Sequence, residues 1–180
     1  MVSPDSTRTR VVVDPVALLK REHRMILDRL VMVETAMNSG SVRSGAVQRA
    51  NRETLQELLE FFTGPVEVHF TREAMLVNGL RRILGRKQEE REQFQSFLDE
   101  HQGLKADATA LLRQLEGRDA QTASASSAGR GLRALTGELH ALIRRYRDLI
   151  ACEERLLFTL AEMRLTAEQR RRISRRMLQV

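Results

Sequence analysis

Residues 55–83 read LQELLEFFTGPVEVHFTREAMLVNGLRRI, and their spacing decides the fold. Leu55, Leu59, Phe62, Val66, His69, Glu73, Leu76, Leu80 and Ile83 follow one another in steps of three and four without a slip. Such a stripe belongs to an amphipathic helix that faces partner helices. Pro65 lacks an N–H for the carbonyl four residues back, so Gly64-Pro65 predicts a kink just before His69. The same stepping recurs upstream at Val16, Leu19, His23, Ile26, Leu30, Val33 and Met37. That segment opens at Asp14-Pro15, with Asp suited to the N-cap and Pro to the first helical position.

Downstream, Phe94, Phe97, His101, Leu104, Ala108, Leu111 and Leu115 form a third seam that stops at Gly117. The stretch from Arg118 to Gly131, with Ser124, Ser126, Ser127 and Gly129, reads as the longest loop. A fourth seam runs Leu132, Leu135, Leu139, Leu142, Tyr146, Leu149, Glu153, Leu156, Leu160 and Met163. Thr166-Ala167-Glu168-Gln169 has the form of a capping box and opens a short Arg-rich helix through about Leu178. Ile173, Met177 and Leu178 are its docking side. These elements predict an all-α, up-down-up-down four-helix bundle with a short fifth C-terminal helix. The domain is expected over residues 14–180, behind a flexible lead of residues 1–13.

Composition narrows the function. A length of 180 residues fits one domain. Aromatics make up 4% with no Trp, too few for a platform on which bases stack. A single cysteine, Cys152, excludes a disulfide scaffold and a thiolate zinc site, so any metal must be held by His and carboxylate. No apolar run approaches the roughly 20 residues of a membrane span and no secretion signal stands at the start, so a cytoplasmic protein is expected. Thirty basic residues against 24 acidic give a net charge of +6, nearly all of it from arginine. The arginines alternate with acids except between Arg170 and Arg176, and that run reads as a solvated helix face. Nucleic acid is not an expected partner.

Seam positions point at the bundle axis, where an unpaired charge is costly. The polar residues there are His23, His69, Glu73, His101, Tyr146 and Glu153, spread over all four helices. A single core histidine is ordinarily a packing residue, but three with two glutamates converge on one conclusion. His69 and Glu73 lie four apart on one face and can reach one metal together. The chain also reads as a doubled hairpin. His23 and His69-x-x-x-Glu73 in the first half answer to His101 and Leu149-x-x-x-Glu153 in the second. Two metals would then lie between bridging carboxylates with terminal histidines, and Leu149 stands where a fourth histidine is expected. His140 is off the seam and far along the helix from Glu153, hence no ligand. Cys152 reads as a small buried thiol. Glu22, Glu100 and Glu154 adjoin seam ligands and read as facing neighbouring helices or solvent, with backup ligation open to each.

Four segments in order, LLKREHRMILDRL, FFTGPVEVHFTREAMLV, FLDEHQGLKADATALL and YRDLIACEERLLFTL, resemble the hemerythrin-like family of HHE cation-binding domains. The resemblance covers about Pro15 to Gln179. It implies a four-helix bundle with a non-haem di-iron centre, His23 and His69 on one iron, His101 on the other, and Glu73 and Glu153 bridging. It also implies binding or sensing of O2, NO or peroxide, or iron handling, with the enzyme question open. Three departures stand out. Leu149 replaces a ligand histidine and puts the second iron in doubt, Ala74 replaces a common second Glu, and Lys105 stands where oxygen carriers have a further His. Simple oxygen transport is therefore the least expected of these roles. Tyr146, three residues before Leu149, is a candidate to reach the site from the fourth helix or to pack beside it. The alternative reading is a degenerate bundle with one metal or none, acting as a partner-binding scaffold through its basic C-terminal helix.

Overall fold

The computed structural model describes residues 13–39, 45–117 and 125–180, and every regular element in them is helical. The elements are α1 (Pro15–Ser39), α2 (Gly45–Thr63), α3 (Pro65–Leu84), α4 (Gln88–Gly117), α5 (Ala125–Cys152), α6 (Thr159–Arg164) and α7 (Ala167–Met177), with a π-helical segment at Glu153–Phe158 joining α5 to α6. They make four long rods: α1, the kinked pair α2–α3, α4, and the continuous α5–π–α6. Each rod packs on its neighbours and α5 closes the ring on α1. Residues 1–12 of the expected N-terminal lead lie outside the described residues.

Local chemistry sets the ends. The Asp14 carboxylate accepts from the backbone N–H of Val16 at 2.9 Å and of Ala17 at 3.2 Å, satisfying donors that the first turn leaves free. The expected interruption falls at Gly64, between α2 and α3, with Pro65 opening the second helix. The Thr166 hydroxyl accepts from Gln169 N–H while the Gln169 side chain accepts from Thr166 N–H, so the capping box of α7 is complete. Gly85 ends α3 in a turn so close that a Cβ would lie 2.6 Å from the Arg81 carbonyl oxygen.

Between these ends the seams bury as their periodicity requires. Leu19, Leu30, Leu59, Leu76, Leu80, Leu104, Leu135 and Leu139 are each at most 2% exposed. Three expectations are corrected. The loop drawn from Arg118 to Gly131 is too long, because α5 begins at Ala125. Serine and glycine cost a helix up to about 1 kcal/mol each without forbidding it. Leu178 is 55% exposed, and Ser174 docks α7 in its place, donating to the Val13 carbonyl at 2.5 Å.

The third correction concerns the fourth seam, which holds to Glu153 and then slips. Met163 is 70% exposed and Leu156 and Leu160 are only partly buried, while Leu157, Phe158, Ala161 and Leu165 fill the core. A π turn holds more residues than an α turn, so one such segment rotates everything after it relative to the axis.

Candidate metal centre

The five seam residues meet on the bundle axis. His23, Glu73 and Glu153 are wholly buried, His101 is 3% and His69 4% exposed. Each rod contributes: His23 from α1, His69 and Glu73 from α3, His101 from α4, and Glu153 from the first position of the π segment. Their polar atoms face inward. His69 Nε2 and His101 Nε2 each lie 3.3 Å from Glu73 Oε2, and His101 Nε2 lies 2.8 Å from Glu153 Oε1. His23 Nε2 lies 3.5 Å from Glu153 Oε2 and 4.0 Å from Glu73 Oε1.

This convergence leaves polar atoms without hydrogen bonds. His23 Nε2, both Glu73 oxygens and Glu153 Oε2 are buried and find no hydrogen-bond partner among the described residues. Stranding such atoms in a core costs about 1–3 kcal/mol apiece, more where they carry charge. A cation between them removes the penalty at once. Two overlapping donor sets have the required closeness, His23 with His69 and Glu73, and Glu73 with His101 and Glu153, each with ligating atoms within 4.8 Å of one another. Glu73 belongs to both. Imidazole and carboxylate are donors for iron, zinc or manganese, and two imidazoles with one carboxylate is a set that non-haem iron favours.

A second ring of carboxylates aims the imidazoles. His69 Nδ1 lies 3.0 Å from Glu22 Oε2, and His23 Nδ1 lies 3.0 Å from Glu154 Oε1. With Nδ1–H donated outward, Nε2 is turned to the axis as a lone-pair donor. Glu22 is itself held, because Arg72 donates to it through one guanidinium nitrogen. The same guanidinium donates to the Met177 carbonyl at 3.0 Å and the Val180 carbonyl at 3.1 Å. The C-terminal helix is thereby tied to His69 through Arg72 and Glu22. Glu100 has no such part and pairs with Arg145 at 2.8 Å.

In the sequence Glu22 and Glu154 stand out only as neighbours of His23 and Glu153. The available signal is the rule that a ligating histidine gives its other N–H to a carboxylate, applied to the acids beside each seam ligand.

Aromatic rings wrap the polar cluster. Phe158, brought inward by the π segment, stacks on His23 at 5.1 Å, and Phe70 stacks on His101 at 4.2 Å. Tyr146 lies parallel to Phe70 at 6.2 Å and beside Phe62 at 5.0 Å. Its hydroxyl finds no hydrogen-bond partner among the described residues, and burial pushes its ionisation upward. Leu149 is buried one turn before Glu153. His140 is exposed and Cys152 is partly buried with a free thiol. Lys105 pairs with Glu67.

In the protein alone, protons do part of the work of a cation. Burial pulls the His69 and His101 imidazolium groups down. The carboxylates override it, Glu22 and Glu73 at His69 and Glu153 and Glu73 at His101, and hold both near 9, against 6.5 ordinarily. Glu73 is pushed below the usual carboxylate range despite its burial, by His101 and His69, while burial and the charge of Glu73 push Glu153 up. Histidines raised on folding stabilise fully below pH 6.5 and lose that contribution as pH rises through about 9. Metal-free protein in chelator is therefore expected to melt at a lower temperature above pH 9 than at pH 6.5. Metal competes with those same protons, so metal affinity should rise over that range. Thermal melts with and without metal across the range check both signs.

The axis of this helical bundle gathers imidazoles and carboxylates that could hold a cation. A sequence model of the hemerythrin HHE cation binding domain matches residues 14–161, and the chain belongs to that family. Neither the curated proteins nor the solved structures gave a match.

Proposed function

We propose that the protein is a non-haem di-iron protein that binds or senses a small ligand, O2, NO or peroxide. The observation that carries this reading is the pair of three-residue donor sets sharing Glu73, closed inside the bundle at 0–4% exposure. Burial this complete admits only small molecules. Iron bound there would supply a redox-active centre able to take such a ligand.

The chain's own residues would divide the task. Glu73 and Glu153 with His23, His69 and His101 would hold the iron, while Glu22 and Glu154 keep two imidazoles aimed. Phe158, Phe70 and the surrounding leucines exclude water and charged solutes, which strengthens every electrostatic contact within. Leu149, where a fourth imidazole is expected, leaves the His101 side of the cluster with one imidazole. The alternative, a bundle without metal acting as a scaffold, loses ground because all five donors sit together in the core against a strong burial cost.

Two experiments test the proposal. Anaerobic iron-loaded protein mixed in turn with O2, NO and peroxide should change its visible absorption with at least one of them, and indifference to all three contradicts the ligand-binding role. Leu149→His supplies the absent imidazole and is expected to raise occupancy of the second iron when iron is limiting. Unchanged iron content would show that the halves of the chain are not equivalent about the site. Among the described residues no helix is long and apolar enough to cross a membrane.

A further inference from the structure

Four arginines of the described residues are matched by acids: Arg72 by Glu22, Arg145 by Glu100 and Asp107, Arg147 by Glu34, and Arg170 by Asp14. Of the arginines that pair with no acid among the described residues, five gather around the groove between α3 and α7. Arg81 and Arg82 from the end of α3, Arg91 from α4, and Arg176 from α7 border a cavity of about 380 Å³. Arg172 borders an adjoining one of about 150 Å³, which shares Met75, Asn78, Arg82 and Arg176 with the first. No carboxylate lines either part. Arg81 reaches only the Gln95 amide oxygen at 3.5 Å, and Arg91 only the backbone carbonyls of Gly85 and Arg86. These are neutral acceptors, and no acid among the described residues pairs with any of the five.

The two parts differ in chemistry. The larger carries four guanidinium groups. The smaller adds an apolar wall of Ile83, Leu165 and Ile173. That wall is fixed by packing, since α7 sits so close to α3 that a Cβ at Gly79 would lie 2.7 Å from Ile173 Cδ1.

We infer that this groove is a second ligand site, for a small organic molecule carrying a diphosphate, with the phosphates among the arginines and the organic part against the apolar wall. Guanidinium groups fit phosphate oxygens with paired, charge-assisted hydrogen bonds. A single phosphoryl group brings a charge of about −2 at most, well short of the cationic groups gathered here. A second phosphoryl group brings the balance nearer. The larger part alone falls within the roughly 300–1,000 Å³ of ordinary small-molecule sites. Nucleic acid fits less well, because the arginines converge on a hollow and do not run as a stripe along one face. This site is separate from the metal centre and does not depend on what that centre binds.

Isothermal titration at low ionic strength with ADP, inorganic pyrophosphate and a short DNA duplex tests the assignment. Both small phosphates should bind at one site per chain, ADP more tightly. Arg82→Ala combined with Arg176→Ala should weaken ADP binding at least about tenfold, the loss of a charged hydrogen bond or more, with melting temperature and metal content unchanged. Failure of both small phosphates to bind, or equal affinity in the double variant, overturns the site. Equal affinity for pyrophosphate and ADP overturns the role of the apolar wall. Binding of the duplex without either small phosphate overturns the proposal in favour of a nucleic-acid surface.

Discussion

Glu73→Ala is expected to strip the protein of iron. Glu73 is the one residue common to both donor sets, and its two oxygens face imidazoles from three different rods. On the proposed di-iron reading its removal would take a ligand from each metal at once, and it leaves His69 and His101 without the charge that sits between them. Outer-shell partners of a metal typically carry about 10- to 100-fold in affinity, and loss of a shared ligand should exceed that. Iron per chain after purification should fall below a tenth of the unaltered protein's. Glu73→Gln keeps the volume and removes the charge, so it separates ligation from packing and should behave the same way. His140→Ala, at an exposed position off the seam, should leave iron content where it was. Loss of iron in that control would contradict the assignment of the seam.

The second large effect is expected from a residue that approaches no metal. Arg72→Ala removes the donor that holds Glu22, which in turn holds Nδ1 of His69. It also frees the Met177 carbonyl at the end of α7 and the Val180 carbonyl beyond it. Two consequences should be separable. Losing the charged contact to Glu22, whose side chain is only 12% exposed, should cost about 1.5–3 kcal/mol of stability. Releasing His69 should weaken iron about 10- to 100-fold. Glu22→Gln keeps the side chain's shape and should reproduce part of the affinity loss with less effect on the docking of α7. If Arg72→Ala lowers the melting temperature and leaves iron affinity untouched, the guanidinium serves only to fasten α7.

Much of this was legible in residue spacing because burial in a bundle is periodic. Unbroken steps of three and four placed His23, His69, Glu73, His101 and Glu153 on the axis before any coordinates, and the structure brings all five together. What escaped has physical reasons. The stepping by three and four continues past Glu153 as far as Met163, so spacing alone does not reveal the π turn. A hint was present in Phe158, the bulkiest apolar residue of its segment, left outside the expected stripe. Glu22 and Glu154 escaped because they lie beside the seam and act through long side chains, reaching a histidine on another rod or an earlier one in the chain. Arg72 escaped for a similar reason, since its partners lie 50 and 105 or more residues away in sequence. The start of α5 escaped because serine and glycine lower helix propensity without setting a boundary.

The most direct measurement is iron per chain in untagged protein purified anaerobically from iron-supplemented cells, read beside the melting temperature before and after chelation. About two irons per chain are expected, with a lower melting temperature once they are removed, because a ligand bound only by the folded state stabilises it. One iron per chain would contradict the di-iron form and confine the metal to a single donor set. No iron, with a melting temperature indifferent to added iron, would contradict the metal centre itself.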